Sequence, residues 1–175
     1  SHVDMLHQSP LCMGIAWDPR KSAVYYAFDG WCGGDCDAHG SLVMFDFMED
    51  HGAGGSDHST ATVRRLRWGG SSGGGLLSPL RRTEGVHSGM ALTNDDGFLF
   101  IADTGHGRVL RVDVDSGAIN ATHTPPWSIQ KHDLREYSYV DGVNVVEVAT
   151  GLTAPSGLAL PSTGNHLLVA DAETG

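Results

Sequence analysis

Gly89-Met90-Ala91-Leu92 running on to Phe98-Leu99-Phe100-Ile101-Ala102-Asp103 is the stretch that decides the fold. Its two short apolar runs flank Asn94-Asp95-Asp96-Gly97, and Asp-Gly supplies the positive backbone φ that a tight hairpin turn requires. The phrase occurs twice more. Met13-Gly14-Ile15-Ala16-Trp17-Asp18 leads to Tyr26-Ala27-Phe28-Asp29, and Gly157-Leu158-Ala159-Leu160 leads to Val169-Ala170-Asp171. The Gly and the Asp lie 15, 14 and 14 positions apart in Gly14/Asp29, Gly89/Asp103 and Gly157/Asp171, while successive glycines are 75 and 68 apart. A period that long, built from short apolar runs separated by turn residues, predicts stacked β-sheet repeats. The third copy stops after its second strand, so the chain reads as a piece of something larger.

Working outward, the first copy predicts strands at Met13 to Asp18, Ala23 to Asp29, Ser41 to Phe47 and Ala61 to Trp68. The second repeats that order with Met90 to Thr93, Phe98 to Asp103, Arg108 to Val114 and Val143 to Ala149. Gly157 to Leu160 and His166 to Asp171 begin a third. The second strands, such as Val24-Tyr25-Tyr26-Ala27-Phe28, are apolar on both faces, whereas a strand with one wet face would alternate. Two-sided burial fits small sheets sandwiched between neighbouring sheets. A parallel sheet would also bury both faces, but it needs crossover helices, and no 3.6-period segment fills the gaps. Long excursions interrupt the repeats: Asp46 to Ser59, Gly69-Gly70-Ser71-Ser72-Gly73-Gly74-Gly75, and Ala121 to Tyr139. Such connections are where binding residues concentrate.

Composition narrows the partners. Lys plus Arg total 11 against 21 Asp plus Glu, a formal charge of −10, which repels nucleic acid phosphates and anionic membranes. No apolar run reaches the roughly 18 residues of a membrane span. The first residues, Ser1-His2-Val3-Asp4, do not form a basic-then-apolar signal segment. Cys32 and Cys36 bracket Gly33-Gly34-Asp35; a disulfide closing this short loop, two free thiols and a metal pair are all open. Cys12 is left odd, as a buried thiol or a partner for a cysteine elsewhere. Asn120-Ala121-Thr122 is a glycosylation acceptor pattern. A disulfide and a glycan together predict a secreted or extracellular protein.

The second copy, from Gly89 through Ala102-Asp103-Thr104-Gly105-His106-Gly107-Arg108-Val109-Leu110-Arg111-Val112-Asp113, resembles an NHL repeat, with His106 where that repeat usually has Asn. Ala154-Pro155-Ser156-Gly157-Leu158-Ala159-Leu160 followed by Val169-Ala170-Asp171 is similar, and the first copy matches more loosely through Tyr26-Ala27-Phe28-Asp29-Gly30. The resemblance implies an all-β fold, a β-propeller of four-stranded antiparallel blades, commonly six in this family, of which about two and a half are present. The implied division is 1–10 as the end of a preceding blade or a linker, 11–68 as blade one and 69–86 as a Gly-rich linker. Residues 87–153 form blade two, and 154–175 the first half of blade three.

Chemistry has four candidate locations. The Asp closing each second strand is read as a turn-fixing acceptor of backbone N–H groups. His87, two positions before Gly89, stands where NHL repeats typically have Pro, as Pro155 is here; it resembles the channel-facing zinc ligand of peptidyl-α-hydroxyglycine lyase propellers. Cys12 occupies the matching place in the first copy, and catalytic zinc would require three such ligands and an open position. The excursion holding Asp46, Glu49, Asp50, His51, Asp57 and His58 concentrates oxygen and imidazole donors for Ca²⁺ or Zn²⁺, without the spacing of an EF-hand. Arg64, Arg65 and Arg67, with Arg81 and Arg82, form the basic cluster and are read as charges guarding an edge strand.

The functional expectation is a non-catalytic propeller module that binds protein or glycan through its rim loops. Its other expected partners are the remaining blades of the same or another chain. The alternative is a metal-dependent propeller enzyme, an amidating-type lyase or a lactonase-like hydrolase, with Zn or Ca in the central channel.

Overall fold

The computed structural model describes residues 8–31, 39–49, 61–68, 79–120, 137–162 and 166–172, and of His39 and Tyr137 the backbone alone. The fold is all-β. Strands β1 (Cys12–Trp17), β2 (Val24–Asp29), β3 (His39–Asp46) and β4 (Thr62–Arg67) form an antiparallel meander. The two-residue β5 (Leu80–Arg81) pairs with the start of β3. A second meander comprises β6 (Met90–Leu92), β7 (Phe98–Asp103), β8 (Arg108–Asp113) and, after an excursion, β11 (Val145–Ala149). A single 3₁₀ turn, Thr104–His106, joins β7 to β8, and Gly107 leaves it in the left-handed region at φ 59°. The excursion supplies β9 (Ala118–Asn120) and β10 (Tyr137–Asp141), and β12 (Pro155–Ala159) pairs antiparallel with β13 (Leu168–Asp171).

The repeated phrase therefore yields the expected strands, with bounds shifted by one or two residues in most cases. The excursion behaves differently from the expectation. β10 returns to the first meander and pairs in parallel with β4, from Tyr137 opposite Val63 to Asp141 opposite Arg67. With β9 and β5 included, the first sheet has seven strands and is mixed rather than antiparallel throughout.

Strand alternation explains the core. Tyr26, Phe28, Leu42 and Leu66 project from one face of the first sheet and meet Leu99, Ile101, Leu110 and Val112 of the second in one apolar cluster. The opposite face carries a smaller cluster of Ala27, Val43, Phe45, Ala61 and Val63. The inner strands of successive sheets touch: β1 lies beside β6, and β12 packs on β6 and β7. Met13 O accepts from Ser88 N at 3.0 Å, and Ser156 O accepts from Gly89 N at 2.6 Å.

This closeness accounts for two of the repeat glycines. A Cβ at Gly14 would land on the carbonyl oxygen of Ser88, and one at Gly89 would lie 2.5 Å from the carbonyl oxygen of Ser156. At Gly157 the nearest atom would be the Ala170 Cβ at 3.3 Å, a tight contact with a side chain rather than a collision with backbone, so the constraint in the third copy is milder.

Candidate functional site

The repeated aspartates show what the second-strand ends do. β2 ends in Asp29, which is fully buried. Its Oδ1 accepts from Leu11 N at 3.3 Å and Trp31 N at 3.1 Å, and its Oδ2 accepts from Arg65 Nη1 at 3.1 Å. Arg65, 7% exposed, also donates to Gln8 O at 2.7 Å and contacts Ser41 Oγ. Burial pushes the Asp29 carboxyl above its ordinary value, against the opposing pull of Arg65 and the N–H donors. The same burial pushes Arg65 down.

Asp103, at the end of β7, repeats the pattern. Oδ1 accepts from Arg81 N at 2.7 Å, and Oδ2 meets Arg108 Nε at 2.7 Å and His106 Nδ1 at 2.9 Å. Arg108 continues to Glu147 Oε2 at 3.3 Å. Asp171, at the end of β13, accepts from Thr153 N at 2.8 Å and Ala154 N at 2.9 Å. In each case the carboxylate ties the second strand to the segment leading into the first. The turn-fixing assignment holds for Asp29, which reaches Trp31 N in the turn that follows it; it is corrected for Asp103, which gives no side-chain cap to the 3₁₀ turn after it and instead binds the incoming segment at Arg81. At Asp29 and Asp103 an arginine is recruited as well.

Register places the positions before the repeat glycines at the same end. Cys12 stands opposite Asp29, and Pro155 opposite Asp171, each followed by a bulge before the Gly. His87 precedes Ser88, whose N–H reaches the residue after Cys12. His87 and Cys12 are both exposed, and the bond from Ser88 N to Met13 O sets the segments that carry them side by side. Cys12 Sγ donates to Gly14 O at 3.4 Å, and the partial burial of the sulfur pushes the thiol up, away from the thiolate that a soft metal would bind. Among the described residues, no three His, Cys, Asp or Glu side chains converge as a metal-binding group. Asp50, His51, Asp57 and His58, and likewise Cys32 and Cys36, lie outside the described residues. Asn120 ends β9, and its amide nitrogen, the atom a glycan would occupy, donates to Asp141 Oδ2 at 2.9 Å.

The edge-strand reading of the arginines is corrected. β4 is an interior strand between β3 and β10, so its charges guard no edge. Arg65 is the buried partner of Asp29. Arg67 donates to Asp141 Oδ1 at 2.6 Å and stacks 3.8 Å above the Tyr139 ring, both on β10. Arg81 uses its backbone to pair with β3 and to reach Asp103, which threads β5 between the two sheets.

A second cluster escaped the sequence reading. Asp18 follows β1 and is fully buried; Oδ1 receives Arg20 Nε at 3.0 Å and Oδ2 receives Arg20 Nη2 at 2.9 Å. Arg20 and Lys21 then cross to Asp115 in the turn after β8, Lys21 Nζ at 3.0 Å and Arg20 Nη1 closer still. The two carboxylates hold the Arg20 guanidinium above its usual range. Burial alone would raise Asp115, but hydrogen bonds from Arg20 and Lys21 outweigh it and hold the carboxyl below its ordinary value. The local signal was Asp18-Pro19-Arg20-Lys21, a turn with charges of both signs.

Compared with known proteins, the chain matches no family model, no curated protein and no solved structure.

Proposed function

We propose that the chain is part of an NHL-type β-propeller that acts as a non-catalytic binding scaffold, presenting its connecting segments to a protein or glycan partner. The observation that carries this reading is the use made of the repeated aspartates. Asp29, Asp103 and Asp171 are the acids that recur in every copy, and each accepts backbone N–H groups, from Leu11, from Arg81 in the segment before the second meander, and from Thr153 and Ala154. The stacking of inner strand on inner strand supports the propeller architecture, because that contact lets small sheets bury both faces. Long connections leaving such a rigid frame are suited to recognition.

A glycan array and a peptide-display panel probed with the purified chain test the reading. Specific binding that disappears when 50–60 is replaced by a Gly-Ser linker supports it. Turnover of a peptidyl-α-hydroxyglycine or lactone substrate that is lost in His87→Ala would overturn it in favour of a metal-dependent enzyme. That second reading draws on the exposed pair His87 and Cys12 at the starts of neighbouring inner strands.

A further inference from the structure

Arg20, Arg65, Arg67 and Arg108 each meet a carboxylate. Arg82 does not. It is half-buried, its Nε is closed off from solvent, and among the described residues no side chain or carbonyl accepts from its guanidinium. Enclosing part of a cation without a partner costs free energy, and such an orphan calls for an acceptor from outside. Arg64 shares the orphaned Nε but lies mid-sheet, between Met44 of β3 and Ser138 of β10. Arg82 is instead held rigidly at the junction of the first two sheets. Its backbone neighbours are pinned on both sides, Arg81 N to Asp103 Oδ1 at 2.7 Å and Thr83 N to Thr104 Oγ1 at 2.8 Å.

Further donors gather around the same point. A Cβ at Gly30 would lie 2.7 Å from Arg82 Cδ and 2.8 Å from Met13 Cγ, so both side chains pack onto that glycine. Met13 O accepts from Ser88 N, and the Ser88 hydroxyl is fully buried with no hydrogen-bond partner. A turn in which Val86 N donates to Thr83 O at 3.2 Å, with Gly85 at φ 76°, folds the chain back between Arg82 and His87. The nearby acids leave the arginine unanswered: Asp29 is taken by Arg65, and Glu84 is exposed in the turn. We infer that Arg82, with His87 and Ser88, forms a binding site for the carboxylate of a small monoanionic ligand. A guanidinium matches a carboxylate through two parallel N–H···O bonds, and the imidazole and hydroxyl supply donors beside it. One cation answers one negative charge, while the chain's formal charge of −10 repels polyanions. The site is separate from the long connecting segments, so it does not rest on what they bind.

Titration of the ¹⁵N-labelled chain with acetate at constant ionic strength, followed by NMR of backbone amides and arginine Nε–H groups, tests it. Saturable shifts are expected at Arg82 Nε–H and at the Gly30 and Ser88 amides, with none from the uncharged isostere acetamide. Arg82→Gln is expected to weaken acetate binding about ten-fold or more, the effect of losing hydrogen bonds to a charged group. Ser88→Ala is expected to weaken it by a smaller factor. Shifts that stay linear in acetate overturn the inference, as does Arg82→Gln binding like the unmodified chain. Tighter binding of inorganic phosphate than of acetate overturns the carboxylate assignment. Amide dispersion reports whether each variant is folded. Should Arg82→Gln not be, Arg82→Lys keeps the charge without the planar fork and is expected to bind acetate more weakly.

Discussion

The β1–β4 meander and the β12–β13 pair begin with the same phrase and reach opposite environments. In the first, Gly14 lies against the Ser88 carbonyl, Asp29 is buried with Arg65, and Tyr26 is sealed in the core. In the last, a Cβ at Gly157 would meet only the Ala170 side chain, Asp171 accepts from the Thr153 and Ala154 N–H groups, and Leu168 is 55% exposed. A repeat therefore fixes local geometry, while the neighbouring sheet determines how much each position is worth.

The largest expected difference lies at the aspartates. Asp29→Ala leaves Arg65 buried without its carboxylate, at a cost of about 3–5 kcal/mol. Asp171→Ala removes hydrogen bonds at a more exposed turn and costs about 1 kcal/mol. Urea unfolding of both variants measures this, and equal losses would break the comparison.

Next come the glycines. Gly14→Ala forces a methyl group onto backbone and is expected to cost about 1–3 kcal/mol, whereas Gly157→Ala meets only the Ala170 methyl and should cost less. A tolerated Gly14→Ala would mean that the inner strands do not approach as closely as described.

The smallest effect is at Asp115. Its pairing with Arg20 and Lys21 lowers the folded-state pKa, so its contribution is complete above the ordinary carboxylate pKa and fades as pH falls through the lowered value. At 45% side-chain exposure the pair is solvated, and Asp115→Asn should cost under about 1 kcal/mol at neutral pH, less still in high salt. Asp29 runs the other way, since its raised pKa means that ionisation as pH climbs through that value costs stability. Acid titrations of D115N and of the unmodified chain, followed by thermal unfolding, separate the two groups. An unchanged acid limb in D115N would remove Asp115 from the account.

The ten strands of the repeated phrase were legible because their signal is local: alternating or continuous apolar runs, and turn glycines at fixed offsets. β5, β9 and β10 were not. Each is short, and the pairing of Tyr137 with Val63 joins positions too far apart for any window of sequence to register. The same distance hid the role of Arg65, whose charge reads as a solvated edge until β10 covers β4 and Asp29 is found beneath it. At the candidate site, the shared placement of Cys12, His87 and Pro155 followed from the spacing to the glycines. The Arg20–Asp115 contact spans 95 positions and could not.

The parallel strand β10 has one further consequence. It belongs by sequence to the second meander and by hydrogen bonding to the first, so neither sheet can open without stripping it from β4. Amide exchange should register β1–β4, β10 and β6–β8 as a single slow-exchanging unit with a common opening free energy. β12 and β13, which no strand among the described residues crosses to secure, should exchange separately and faster.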